Sequence, residues 1–305
     1  MRPAAVLIAI SCLILAGCGG SGGSRTASEE TTTARADTLE ALWRAPGDDV
    51  AVVPGTTDYG VGENRISFLV VDDTSKAVER PAARVWIAHG LKEKPYAETV
   101  ARLERIGVPG GSAADFTNIY VAHVNTPKPG RYWILAEPIG GSRRIQALGN
   151  LDVGPQPQAP DVGDRAIASK TPTLGSTGGN LKALTTARRP DRALYRTSVA
   201  QALAAKQPFV VSFATPLFCQ SRTCGPVVDI VSAVAKRHPK VRFIHVEIYA
   251  GNDPANGPNR WFEQWRLPTE PYTFVVDGTG VIRARLQGAF GADELEQAVE
   301  SVEPR

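Results

Sequence analysis

The 305-residue chain has almost no net charge, only four histidines and four cysteines, and no apolar run long enough to cross a bilayer. A formal charge of +3 gives no reason to expect nucleic acid or an acidic surface as partner. The N-terminal apolar stretch, Ala4 to Ala16, is broken by Ser11 and Cys12 and is too short for a comfortable membrane span. His89 and His123 stand alone in strand-like surroundings, where a histidine serves structure more often than ligation. Cys12 and Cys18 sit in or beside the leader, so only Cys219 and Cys224 are left to the folded chain. A disulfide-dense scaffold is thereby excluded, and a single small disulfide loop is the most the folded chain can form. Hydrophobic residues at 43% and charged residues at 21% are ordinary for a globular protein, and the length suits about two domains.

Arg2 precedes the apolar core, which ends in Leu15-Ala16-Gly17-Cys18. That tetrad resembles the lipobox of bacterial lipoproteins. The resemblance implies a signal peptide over 1–17, acylation of Cys18, and an extracytoplasmic protein held at the cell membrane by its lipid. Several acyl chains on one residue anchor at about 0.8 kcal/mol per buried CH₂. Residues 18–45 begin GGSGGSRTASEETTTARAD after the cysteine and read as a flexible tether.

Between 46 and 154, short apolar stretches (Ile66–Val71, Val85–Ala88, Ile119–Val124, Tyr132–Ala136) alternate with turn signals such as Pro54-Gly55 and Pro129-Gly130. This spacing predicts an all-β immunoglobulin-like sandwich, and KPGRYWILAE resembles a late strand of such bacterial modules. Residues 96–106 predict a short helix through Val100 and Leu103. Trp86 and Trp133 are assigned to the core. With no catalytic constellation, the domain reads as a spacer or docking module. Residues 155–185 are rich in Pro, Gly, Ser and Thr and read as a linker.

The region 186–305 predicts an alternation of elements. Ser198 caps a helix, FVVSF (209–213) is a buried strand, and a loop with both cysteines leads into a helix opened by Gly225-Pro226. VRFIHVEI is the next strand, and Gly278-Thr279-Gly280 joins two more. A last helix buries Leu295, Val299 and Val302. This order, with FVVSFATPLFCQSRTCGPV and EPYTFVVDGTGVI, resembles the thioredoxin-like fold family over residues 190 to 303. The resemblance implies an α/β domain with a redox pair at Cys219 and Cys224. Pro271 then matches a cis-proline that, with Glu270, borders the substrate. Four residues separate the cysteines where the family has two, and Ser212 occupies the place of its buried acid.

Residues i and i+5 of one helix lie beyond disulfide reach of about 7 Å, so Cys219 is expected in a loop ahead of the helix. Helix position favours Cys224 as the attacking thiolate, aided by Arg222, and family order favours Cys219; the choice stays open. Glu247, Tyr249 and Glu270 converge on the same edge and predict a disulfide that is a poor oxidant. The leading expectation is thiol–disulfide exchange with exported thiol or disulfide proteins, needing no cofactor and no metal but a redox-resetting partner. The alternative is a non-enzymatic interaction protein in which the disulfide is a staple and the cis-proline groove with Trp261 and Trp265 holds an extended peptide, set against packing on the sheet as the favoured role of both tryptophans. Lesser readings are a peroxiredoxin-like peroxidase using Thr215, and a copper-delivery module recruiting His245 or His238.

Overall fold

The computed structural model of the protein describes residues 37–141 and 144–304. The signal peptide, Cys18 and most of the tether lie outside the described residues. The N-terminal strands are β1 (Asp48–Pro54), β2 (Gly62–Val71), β3 (Ala82–Ala88), β4 (Ala97–Arg105), β5 (Asn118–Thr126), β6 (Gly130–Pro138) and β7 (Ile145–Val153). They form a closed barrel in the order β1-β2-β5-β4-β3-β6-β7. Two-residue alternation sends Ile66, Phe68 and Val70 of β2 inward with Val85, Ile87, Tyr120, Ala122, Ile134 and Ala136, filling the lumen with side chains. Phe68 stacks on Tyr120 with ring centroids 5.5 Å apart.

A sandwich was expected, and the structure corrects it. β1 pairs in parallel with β7, from Asp48 against Ile145 to Ala51 against Leu148, and so removes the free edges that two separate sheets would leave. The predicted helix at 96–106 is strand β4. Thr99 lies opposite Val85 of β3 and Leu103 opposite Tyr120 of β5, and these two-sided pairings outweigh the local spacing of Val100 and Leu103. Part of the expected tether is also ordered. Thr38 caps α1 (Leu39–Trp43), which lays Leu39 and Leu42 over Trp86, Ala88 and Leu135 on the barrel's outer surface.

The second sheet comprises β8 (Phe209–Phe213), β9 (Arg242–Val246), β10 (Tyr272–Val276) and β11 (Ile282–Gln287) in the order β11-β10-β8-β9. Its helices are α2 (Val199–Ala204), α3 (Cys224–Ala235), α4 (Arg260–Gln264) and α5 (Ala292–Glu300). The thioredoxin-like assignment is corrected as well. The chain is β-rich, with a closed seven-stranded barrel beside a four-stranded sheet, and only five short α-helices occur among the described residues. Local periodicity located segments but not how they pair, and the pairing defines the architecture.

Residues 155–185 are docked rather than loose. Ala159, Ser169, Thr171 and Thr173 are buried, and Ala166 N donates to the Gly280 carbonyl at 2.9 Å. Barrel and sheet meet at Asp58. Its carboxylate accepts from Gln158 N at 2.7 Å, Ala159 N at 3.0 Å and the Tyr272 hydroxyl at 2.9 Å, and pairs with Arg285 at 3.5 Å. Arg65 reaches from β2 to the Glu294 carboxylate and to the Gln287 and Ala289 carbonyls. Gly288 has φ +72, and a Cβ there would overlap the Gly55 carbonyl oxygen. Asp58→Ala removes the acceptor of the buried Tyr272 hydroxyl and of the Gln158 and Ala159 amides, and it takes one of two carboxylate partners from Arg285, which keeps Asp161 and the residue 58 carbonyl. We expect it to lower unfolding stability by about 3–5 kcal/mol in guanidinium titration; a loss below about 1 kcal/mol would show that the joint is incidental.

Candidate functional site: a thiol pair at a helix start

β8 is buried throughout and delivers the chain to Ala214, after which residues 215–223 turn back to the start of α3. Cys219 N donates to the Thr215 carbonyl at 3.1 Å, and Arg222 N donates to the Cys219 carbonyl at 3.2 Å. Arg222 takes a left-handed backbone, φ 51, which tightens the loop and brings Cys219 back over the helix end. α3 begins at Cys224 itself, one step earlier than the expected start after it. Pro226 still falls in the first turn, where a missing N–H leaves no hydrogen bond unmade.

Both cysteines are buried, free thiols. The backbone N–H of Cys224 donates to the Cys219 sulfur at 3.3 Å. Ser221 Oγ lies 3.4 Å from the same sulfur and 2.8 Å from Thr223 Oγ1. Thr223, the N-cap, makes no side-chain capping bond, so the sulfur of Cys219 takes up an otherwise orphaned helix N–H. These contacts decide which sulfur is anionic. A hydrogen bond from the Cys224 thiol, against an opposing effect of burial and with help from Ser221 and the Cys224 and Thr223 amides, lowers the Cys219 thiol to about 5. Burial, with the hydrogen bond and charge of Cys219, pushes Cys224 well above the ordinary thiol range. The reduced pair is one thiolate and one thiol. A stabilised thiolate favours the reduced form, whereas Glu270 acts on Cys224 in the opposite sense by raising its thiol.

Glu270 completes the group. The two sulfurs and a Glu270 carboxylate oxygen all lie within 4.8 Å of one another. The Glu270–Pro271 peptide is cis, and it leads into β10 beside β8. Burial, then the charge of Cys219, raises the Glu270 carboxyl. Tyr249 is raised by burial and by these same three groups. Its ring meets that of Phe218 edge-on at 6.4 Å. Leu217 and Phe218, just before Cys219, are 61% and 36% exposed and leave an apolar rim at the thiolate.

Other expected participants are placed elsewhere. Arg222 points to Asp115 at 3.6 Å across an exposed gap and does not touch the sulfurs. Glu247 accepts from Thr186 N at 2.5 Å and Thr186 Oγ1 at 2.8 Å. His245 bonds the Tyr195 hydroxyl through Nδ1 at 2.8 Å and the Ala214 carbonyl through Nε2 at 3.0 Å, so both ring nitrogens are occupied. His238 is held by Glu303 and Glu296. Neither histidine joins the cysteines. Trp265 packs against the sheet, the role favoured for it: it is fully buried on Phe213 and Phe274 and donates to Ser169 at 2.9 Å. Ser212 bonds Thr273 Oγ1 at 2.8 Å.

Ser221 and Thr223 place hydroxyls between the cysteines, and their position just ahead of a helix start is the one sequence signal for them. The β4–β5 loop of the barrel gave none. Val108 packs on the cluster containing both cysteines, and Ser112 N donates to Asp229 of α3 at 2.5 Å. Ser112 lies so near that a Cβ on Gly225 would come within 2.9 Å of its own Cβ.

No protein-family model matches the chain, and no curated protein matches it. Among solved structures, an engineered protein is 10% identical over 34% of this chain and 20% of its own length, with a TM-score of 0.23. Similarity that slight carries no argument about fold or activity. The site rests on its own geometry.

Alkylation of Cys219 in the reduced protein should gain rate as pH rises through about 5 and then level off, because only the thiolate reacts. Ser221→Ala removes one donor and should move the midpoint upward. A midpoint between 8 and 9 in the unmodified protein, as for a free thiol, would refute the assignment of Cys219 as the anionic sulfur.

Proposed function

We propose that the protein performs thiol–disulfide exchange on exported proteins, from a lipid anchor at Cys18, with Cys219 attacking and Cys224 resolving. The observation that carries this is the Cys219 sulfur accepting the first N–H of α3 at 3.3 Å. It supports an anionic nucleophile beside a neutral thiol, which is the charge arrangement that exchange requires. The exposed Leu217 and Phe218 give an unfolded or extended substrate an apolar place to rest next to the nucleophile.

The Cys219 thiolate attacks one sulfur of a substrate disulfide, and the other substrate sulfur leaves as a thiolate. Cys224 then attacks the Cys219 sulfur of the mixed disulfide and expels the second substrate sulfur. Two electrons pass from the protein dithiol to the substrate disulfide, and an external dithiol returns the pair to its reduced state. The reverse sequence oxidises a substrate dithiol. No cofactor enters either direction.

The peroxidase reading asks for a threonine hydroxyl and an arginine on the reactive sulfur. Thr215 Oγ1 is buried without a hydrogen-bond partner among the described residues, and Arg222 is turned to Asp115. A copper-delivery reading has no histidine at the sulfurs.

Insulin disulfide reduction with dithiothreitol as the resetting dithiol tests the proposal. The reduced protein should accelerate it, and Cys219→Ser should abolish the acceleration. Cys224→Ser should accumulate a mixed disulfide at Cys219, visible by non-reducing electrophoresis. Undiminished activity in both variants would reject exchange through this pair.

A further inference from the structure

We propose that Glu270 accepts the proton of Cys224 in the resolving step and returns it to the departing substrate thiolate. This rests on the exchange chemistry above and adds a catalytic residue to it.

The need is chemical. Cys224 is a fully buried thiol, and a thiol attacks a disulfide only after losing its proton. In the reduced protein its hydrogen bond goes to the Cys219 sulfur. Once Cys219 is tied into a mixed disulfide, that sulfur is neutral and no longer an effective acceptor. Ser212, where an acid would stand on β8, is committed to Thr273. Glu247, bonded to Thr186 through Oε1, is not grouped with the two sulfurs, and both ring nitrogens of His245 are taken by Tyr195 and Ala214.

The geometry supplies one group. A Glu270 carboxylate oxygen lies within 4.8 Å of both sulfurs, and Cys219, Cys224 and Glu270 are the single grouping of three such side chains among the described residues. No ion pair with a cation holds Glu270 among those residues. The charged or titratable groups acting on it and its partners are Cys219, Cys224 and Tyr249, which are acids like itself. Burial, the larger of the two causes that raise its carboxyl, persists when Cys219 is tied into the mixed disulfide and loses its charge, and it narrows the gap to the thiol that Glu270 must deprotonate.

The step balances. The Cys224 S–H bond breaks as its proton moves to Glu270. The Cys224 sulfur forms a bond with the Cys219 sulfur, and the bond from Cys219 to the substrate breaks. The departing sulfur takes the proton from Glu270. The carboxylate is regenerated, and no oxidant beyond the substrate disulfide is consumed.

Stopped-flow reaction of the reduced protein with 5,5′-dithiobis(2-nitrobenzoate) separates the two events. The first equivalent of nitrothiobenzoate reports attack by Cys219, and the second reports resolution by Cys224. Glu270→Gln should leave the first phase within about twofold and slow the second about 10²-fold. Glu270→Asp should recover part of the loss. In Glu270→Gln the second phase should rise about tenfold per pH unit as Cys224 must ionise unaided, whereas the unmodified protein should be flat over the same range. A second phase unchanged in Glu270→Gln would overturn the role of Glu270 while leaving exchange intact. Absence of a first phase in the unmodified protein would instead sink the exchange reading itself. An equal slowing of both phases would mark a structural effect and count against proton transfer.

Discussion

One hydrogen bond organises the site: the first amide of α3 donating to the sulfur of Cys219. A helix start presents unpaired N–H groups and a partial positive charge, and normally a side-chain oxygen or water meets them. Here a sulfur does, because the four-residue gap and the left-handed turn at Arg222 carry Cys219 back over the helix end. The usual cysteine logic of a buried thiol is thereby reversed for one residue and kept for the other. Cys219 is stabilised as an anion, and Cys224, at the first position of α3 and fully buried, is held as a thiol.

That arrangement depends on support from both halves of the chain. Val227, Ile230, Val231 and Val234 seat α3 on the sheet with both cysteines in the same apolar cluster. From the other side the barrel's β4–β5 loop presses Val108 on that cluster and reaches the first turns of α3 through Ser112 and Asp229. The barrel in turn is fixed to the sheet through Asp58, Tyr272, Arg285 and Arg65. A module that reads in isolation as a spacer therefore forms one wall of the thiol site.

Features that depend on near neighbours were legible before the structure. Ser198 closes a capping box with Gln201, Gly278-Thr279-Gly280 joins β10 to β11, and Glu270-Pro271 and the cysteine pair share one end of the sheet. Features that depend on pairing were not. Barrel closure rests on β1 meeting β7 nearly a hundred residues later, and nothing in the alternation of either strand specifies a parallel partner. β4 has the composition of an exposed helix because only Ala101 along it is fully sealed. The identity of the anionic sulfur was equally hidden, since it turns on where α3 begins to within one residue, and local signals place helix ends no better than that.

Exchange through this pair requires that the two sulfurs lie within bonding reach of each other in the folded protein. Mild oxidation of the reduced full chain, followed by proteolysis without reductant and mass spectrometry, measures this directly. A monomer whose peptides carrying Cys219 and Cys224 are joined, with the loss of two hydrogens, is the predicted result. Sulfurs that oxidise separately, or that link one molecule to another while the 219–224 pair stays open, would contradict it.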